Sequence, residues 1–257
     1  MTQQVEPGPT ARLGRAVGTN GAVAGVVLVL PPGEQESARG PSALAQASVR
    51  ALARELAGAG AAEGLVAHVV RYRGRGWNGG AARLAADAEW AVAETVRRYG
   101  DVPVCLAGVD MGGRAALRAA GAGAVNSVVA LAPWLPGAVA APDSADAADT
   151  ADAEPVRQLA GRRVLIVHGT NDERANPDLS LRLAARAKKS NRDVCRFEVH
   201  SDGHGMRQHR AEVRALSVDF VLGSLFGRPY ARPLADALAA PPPLGLRMPL
   251  AMGFGRG

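Results

Sequence analysis

The feature that most restricts this chain is the alternation of short β-branched runs with longer helical patterns from about residue 22 to residue 224. Apolar strand-like runs lie at 26–30, 65–70, 102–107, 127–131, 164–167 and 194–199. Between and after them, residues 42–59, 81–99, 112–120, 177–190 and 207–225 place apolar side chains three and four apart, the period of a helix packed on one face. A crossover that long returns the chain parallel to the strand it left. The expectation is therefore an α/β domain with a mostly parallel central sheet and helices on both faces. At 257 residues, one large domain with a well-buried core is expected rather than two.

The boundaries read as an N-terminal extension over 1–21, the α/β domain over 22–225 and a Pro/Gly-rich tail over 226–257. Residues 138–154, rich in Ala and Asp, read as a solvated loop or one weak helix. The tail carries Pro241, Pro242 and Pro243 and then Gly253 and Gly255, with no periodic pattern, so it is expected to form an arm or a loose terminus. Its apolar residues leave room for a homodimer.

A formal charge of +6 raises nucleic acid as a partner. The arginines are scattered along helical patterns, however, and no nucleic-acid-binding motif accompanies them, so none is expected. The apolar run before Pro31 is too short to span a bilayer and is needed as a strand, so no membrane association is expected either. Cys105 and Cys195 lie within strand-like runs without CxxC spacing, which fits reduced core residues of a cytoplasmic protein. Neither metal-ligand spacing nor a phosphate loop is present, and the expected partner is a small-molecule substrate handled without a cofactor.

One segment carries chemistry. Val104 to Val109 ends a strand, and Asp110-Met111-Gly112-Gly113 opens a helix at once, with Gly108 completing the pattern. His168-Gly169-Thr170-Asn171-Asp172 follows a later strand, and Ser201-Asp202-Gly203-His204-Gly205 follows the last one. In order and strand context these segments resemble the nucleophile elbow, acid loop and histidine loop of the α/β-hydrolase superfamily. The resemblance covers about residues 22 to 224. It implies a catalytic set of Asp110, Asp172 and His204, with backbone oxyanion donors at Met111 and at Gly33 or Glu34. The outline is similar to small capless, dienelactone-hydrolase-like members, because only about thirty residues, 134–163, stand where relatives insert a cap.

The departure from the superfamily is Asp110, at a position usually held by serine. A carboxylate is charged before any base acts on it, and the helix N-terminus behind it favours that charge. Its attack on an alkyl carbon gives an ordinary ester that His204 can help water to hydrolyse. The resemblance to epoxide hydrolases and haloalkane dehalogenases points to such alkyl-enzyme chemistry, for example epoxide opening. Two alternatives stay open: a lyase, isomerase or cyclase of secondary metabolism using Asp110 and His204 as an acid–base pair, and a non-catalytic binding protein.

Ligands of open α/β sheets sit beyond the carboxyl ends of the strands. Trp134, Trp77 and Tyr72 follow strands and are the candidate substrate-binding side chains. Arg71, Arg73 and Arg75 either hold an acidic substrate or pair with the following helix, and the second reading is favoured. Trp90 is spaced as a helix core position, and His168 reads as a structural histidine at a strand end.

Overall fold

In Gly25–Leu30 every residue is buried, as expected of a strand covered on both faces. Val26, Leu28 and Leu30 point into one core while Val27 and Val29 point into the other, following the two-residue period of a strand. The computed structural model describes residues 10–137 and 154–255. In chain order its elements are β1 (Arg12–Leu13), β2 (Val17–Gly18), β3 (Gly25–Leu30), α1 (Ala43–Ala59), β4 (Leu65–Arg71), α2 (Arg83–Tyr99), β5 (Val104–Val109), α3 (Met111–Arg118), β6 (Val125–Leu131), β7 (Arg163–Gly169), α4 (Pro177–Ser190), β8 (Val194–Val199), α5 (Arg210–Phe226), α6 (Arg232–Ala239) and β9 (Met248–Pro249). The sheet runs β1-β4-β3-β5-β6-β7-β8-β9, with β2 paired to β4. From β4 to β9 along that order every pairing is parallel.

One face carries α2, α3 and α4, and the other carries α1, α5 and α6. Local signals start two of these helices. The Ser42 side chain accepts from the Ala45 amide ahead of α1, and Asn176 accepts from Asp178 with Pro177 in the first turn of α4. Trp90 departs from its expected place: the buried stripe of α2 runs through Leu84, Ala88, Ala91 and Thr95, leaving Trp90 exposed.

Both chain ends do more than the sequence pattern indicates. β1 and β2 add antiparallel strands to β4. At the other end, Leu234 and Ala237 of α6 enter the core and β9 extends the sheet beside β8. The physical reason is two buried cations. Lys188 donates to the Val194 and Ala237 carbonyls, and Arg196 donates through Nη1 to the Leu246 carbonyl. A buried cation needs such acceptors, and the tail supplies them. The tail's Leu234, Leu246 and Leu250 are buried within the chain itself, while Leu244 and Met252 are exposed.

The segment read as a loop or weak helix at 138–154 lies, apart from Glu154, outside the described residues. Cys105 and Cys195 are free and buried. No helix among the described residues is long and apolar enough to cross a membrane. The chain leaves β3 toward β4 and returns on the other side of β3 with β5, so strand order reverses there and a crevice opens above the strand ends.

Candidate active site

Asp110 occupies the turn between β5 and α3 with φ 56° and ψ −121°, a conformation that strains any residue with a side chain. The neighbouring strand and helix enforce it. The Asp110 amide donates to the Leu131 carbonyl, and its own carbonyl accepts from Gly113 and Trp134. Glycine is required on both sides by close approach. A Cβ on Gly108 would stand 2.0 Å from the Gly112 carbonyl oxygen, and one on Gly112 would stand 2.2 Å from that of Leu30.

Asp172 and His204 converge on this carboxylate from the loops after β7 and β8. His204 Nδ1 donates to Asp172 Oδ2 at 2.8 Å, and His204 Nε2 stands 3.6 Å from Asp110 Oδ1. Asp172 is held on all sides. Its Oδ1 accepts from the Arg174 and Ala175 amides, each at 2.9 Å, while Oδ2 also accepts from His168 Nε2 at 3.0 Å. Burial alone would raise its pKa, but the hydrogen bonds from His168, the Ala175 amide and His204 outweigh it and hold the carboxyl far below its ordinary range.

His168 is therefore more than a strand-end packing residue. Its Nε2 faces two acceptors, Asp172 Oδ2 and the Ala175 carbonyl, so that nitrogen carries the proton. Its Nδ1 lies 2.9 Å from Ser180 Oγ, which accepts in turn from Arg196 Nε at 3.0 Å. Asp202 shapes the histidine loop in a similar way. It accepts from the amides of Gly203, Arg207, Gln208 and His209, tying the two sides of His204 together.

A side chain the sequence reading missed completes the cluster. Arg174 Nη2 donates to Asp110 Oδ2 at 2.8 Å from a side chain that is 61% exposed. Asp110 Oδ1, by contrast, is buried with no hydrogen-bond partner among the described residues. Burial raises the Asp110 pKa above its usual value. Arg174, His204 and the Met111 amide oppose that rise, and Asp172 adds to it.

Asp110 opens into a cleft of about 350 Å³ lined by Gly33, Glu34, Gln35, Glu36, Met111, Trp134 and Arg174. Gly33 packs beside Met111, and its amide has no partner among the described residues, so it remains available as a backbone donor, while the Met111 amide faces the Asp110 carboxylate. The Glu34 amide does not: it donates to the Arg75 carbonyl at 2.7 Å, which corrects its assignment as an oxyanion donor. Trp134 is half-buried at the cleft wall.

Trp77 and Tyr72 are corrections. Both are core residues, at 3% and 4% exposure. The Arg114 guanidinium lies 3.9 Å from the centre of the Trp77 ring, and Tyr72 Oη donates to the Pro31 carbonyl. Neither lines the cleft. Arg73 pairs with Asp87 of α2 at 2.5 Å and Arg75 with Glu34 at 3.3 Å, so these two arginines serve the structure.

A strand-to-helix turn with a strained acidic residue, an acid after β7 and a histidine after β8, all above a parallel sheet, decide the architecture. The chain has the α/β-hydrolase fold. TT1662 from Thermus thermophilus superimposes with a TM-score of 0.61 at 18% identity, covering 85% of this chain and 99% of that one. The esterase Est2 from Thermogutta terrifontis gives a TM-score of 0.60 at 18% identity over 85% and 92%. The Pyrococcus furiosus esterase Pf2001 gives 0.59 at 14% identity over 79% and 84%. The sequence model of the prolyl oligopeptidase family matches residues 127–223, a span that holds Asp172 and His204 and begins beyond Asp110. Among curated proteins none matches in sequence. Ser127 at the start of that span is fully buried in β6, its Oγ accepting from Ser224 Oγ at 2.8 Å, and does not line the cleft.

Proposed function

We propose that this chain is a hydrolase acting at a saturated carbon of a small molecule, with Asp110 as the nucleophile. The observation that carries the reading is the arrangement of Asp110 itself: a strained turn aims its carboxylate into the cleft, Oδ1 has no donor on it, and His204 stands 3.6 Å away, oriented by Asp172. A carboxylate with free lone pairs attacks carbon directly, and the product is an ester on Asp110. Attack at an acyl carbon would instead give a reactive anhydride. His204 Nε2, with Nδ1–H held on Asp172, then accepts a proton from a water that adds to the Asp110 carbonyl carbon. The Met111 and Gly33 amides are the candidate donors for the oxyanion that forms. Water is the only co-substrate this sequence needs.

The deciding experiment is a single turnover in water enriched in oxygen-18, with a panel of epoxides, alkyl halides and alkyl sulfates, followed by mass analysis of the peptide bearing Asp110. Heavy oxygen in Asp110 is the expected result. Turnover that leaves Asp110 unlabelled would replace this reading with the acid–base alternative, in which the elevated Asp110 pKa serves proton abstraction. An Asp110→Asn variant that retains turnover would remove Asp110 from the mechanism altogether.

A further inference from the structure

Among the described residues lining the cleft, Glu34, Glu36 and Asp110 are acidic and Arg174 alone is basic. Arg174 is not a structural cation. Its side chain is 61% exposed, and the carboxylate it holds among the described residues is Asp110, at 2.8 Å. If Asp110 becomes an ester, that partner turns neutral while a leaving group departs inside the same cleft. We propose that Arg174 then receives the leaving group, so that the site binds anions only while Asp110 is uncharged, and that the substrate carries a group that leaves as an anion. This inference rests on the nucleophile reading above and deepens it.

The bonds balance. Asp110 forms a carbon–oxygen bond to the substrate carbon as the carbon–leaving-group bond breaks, and the bonding pair leaves with the anion. Water then adds to the Asp110 carbonyl carbon as His204 Nε2 takes one of its protons. The acyl–oxygen bond breaks, His204 passes that proton to the departing oxygen to give an alcohol, and the Asp110 carboxyl loses the second water proton to solvent. The net change is substrate plus water to alcohol, anion and proton. Once ionised again, Asp110 recovers Arg174 and displaces the anion.

The polar inventory favours this class over one that needs a proton on departure. Tyr72 Oη is turned to the Pro31 carbonyl in the core. Glu34 is kept below the usual carboxylate range by its hydrogen bond with Ser37 and then by Arg75, so it is ionised at neutral pH. An alkoxide leaving group, as in epoxide opening, finds no neutral acid in either. A halide, sulfate or carboxylate needs only the guanidinium, which binds such groups through its fork of donors.

The test needs no substrate. Asp110→Asn keeps the shape of the carboxyl group and has the neutral charge of the esterified state, and chloride is the probe, with binding read from line broadening in chlorine-35 NMR at constant ionic strength. Chloride should bind Asp110→Asn about tenfold or more tightly than the wild type, because a buried negative charge next to the site has gone. The double variant Asp110→Asn/Arg174→Gln should return to the wild-type level. Should Asp110→Asn fail to fold, Asp110→Ala carries the same comparison. Equal broadening in wild type and the neutral variant, or broadening that survives removal of Arg174, would overturn the proposal. The two readings separate cleanly: oxygen-18 in Asp110 without a charge-dependent anion site refutes this inference alone, and an unlabelled Asp110 refutes the parent reading.

Discussion

Replacing Asp110 with glycine should make the fold more stable, and the size of the gain can be worked from the turn. A residue other than glycine at φ 56° and ψ −121° stores about 1–3 kcal/mol of backbone strain, which glycine releases. The buried Oδ1 without a partner costs roughly 1–3 kcal/mol more, and it disappears with the side chain. Against these stand about 0.5–1 kcal/mol for the greater freedom of glycine in the unfolded chain and about 0–1 kcal/mol for an ion pair whose arginine is mostly exposed. At the centre of these ranges the balance is a stabilisation of about 3 kcal/mol, with roughly 2–4 °C in Tm for each kcal/mol in a chain of this size. Asp110→Asn keeps the strained backbone and the buried polar side chain while removing the charge, so the difference between the two variants reports strain and polar burial together, free of the charge. pH gives a second arm. Burial raises the folded-state pKa of Asp110, so the folded form holds its proton more tightly than the unfolded chain does. Stability present below the ordinary pKa of about 3.9 is thus lost as pH rises through the folded value, and the glycine variant escapes that loss. Its advantage in thermal melts followed by circular dichroism should grow from pH 4 to pH 7. A glycine variant that melts at or below the wild type at pH 7, or whose advantage shrinks as pH rises, would refute the reasoning.

Two further perturbations probe the surroundings of the site. His168→Phe removes one donor from the fully buried Asp172 side chain, at about 1.5–3 kcal/mol. Asp172 has a depressed folded pKa, so its contribution is present above about 3.9 and is lost as pH falls through the folded value; acid unfolding of the variant should begin at higher pH, and an unshifted acid transition would remove His168 from the support of Asp172. Deleting residues 241–257 uncovers the ground beneath Leu246 and Leu250, roughly 3–6 kcal/mol for two buried leucines, and takes the Leu246 carbonyl from Arg196. Urea denaturation should show a clearly lowered midpoint, and an unchanged one would mean that the tail does not support the core.

What the sequence made legible, and what it left hidden, divides along a physical line. The six strands from β3 to β8 and the five helices from α1 to α5 announce themselves because burial on one or both faces imposes a period on consecutive residues, and the pattern marks each within a few residues of its observed ends. Asp110, Asp172 and His204 could be read because each sits in a short local pattern of glycines and strand ends. Arg174 could not, since its meaning depends on a carboxylate 64 positions earlier in the chain, although its place two residues after Asp172 was a signal of where its side chain would emerge. α6 and β9 were hidden for a related reason. Eight helical residues and a two-residue strand are too few to display a period, and their cause lies elsewhere, in the buried Arg196 and Lys188 that need carbonyl acceptors. That hidden dependence reaches the site. The Leu246 carbonyl fixes Arg196, Arg196 donates to Ser180, Ser180 contacts His168, and His168 donates to Asp172, which orients His204. A tail that reads as a loose arm therefore stands at the far end of an unbroken chain of hydrogen bonds to the histidine beside Asp110, and the orientation of that histidine depends on groups no local pattern joins.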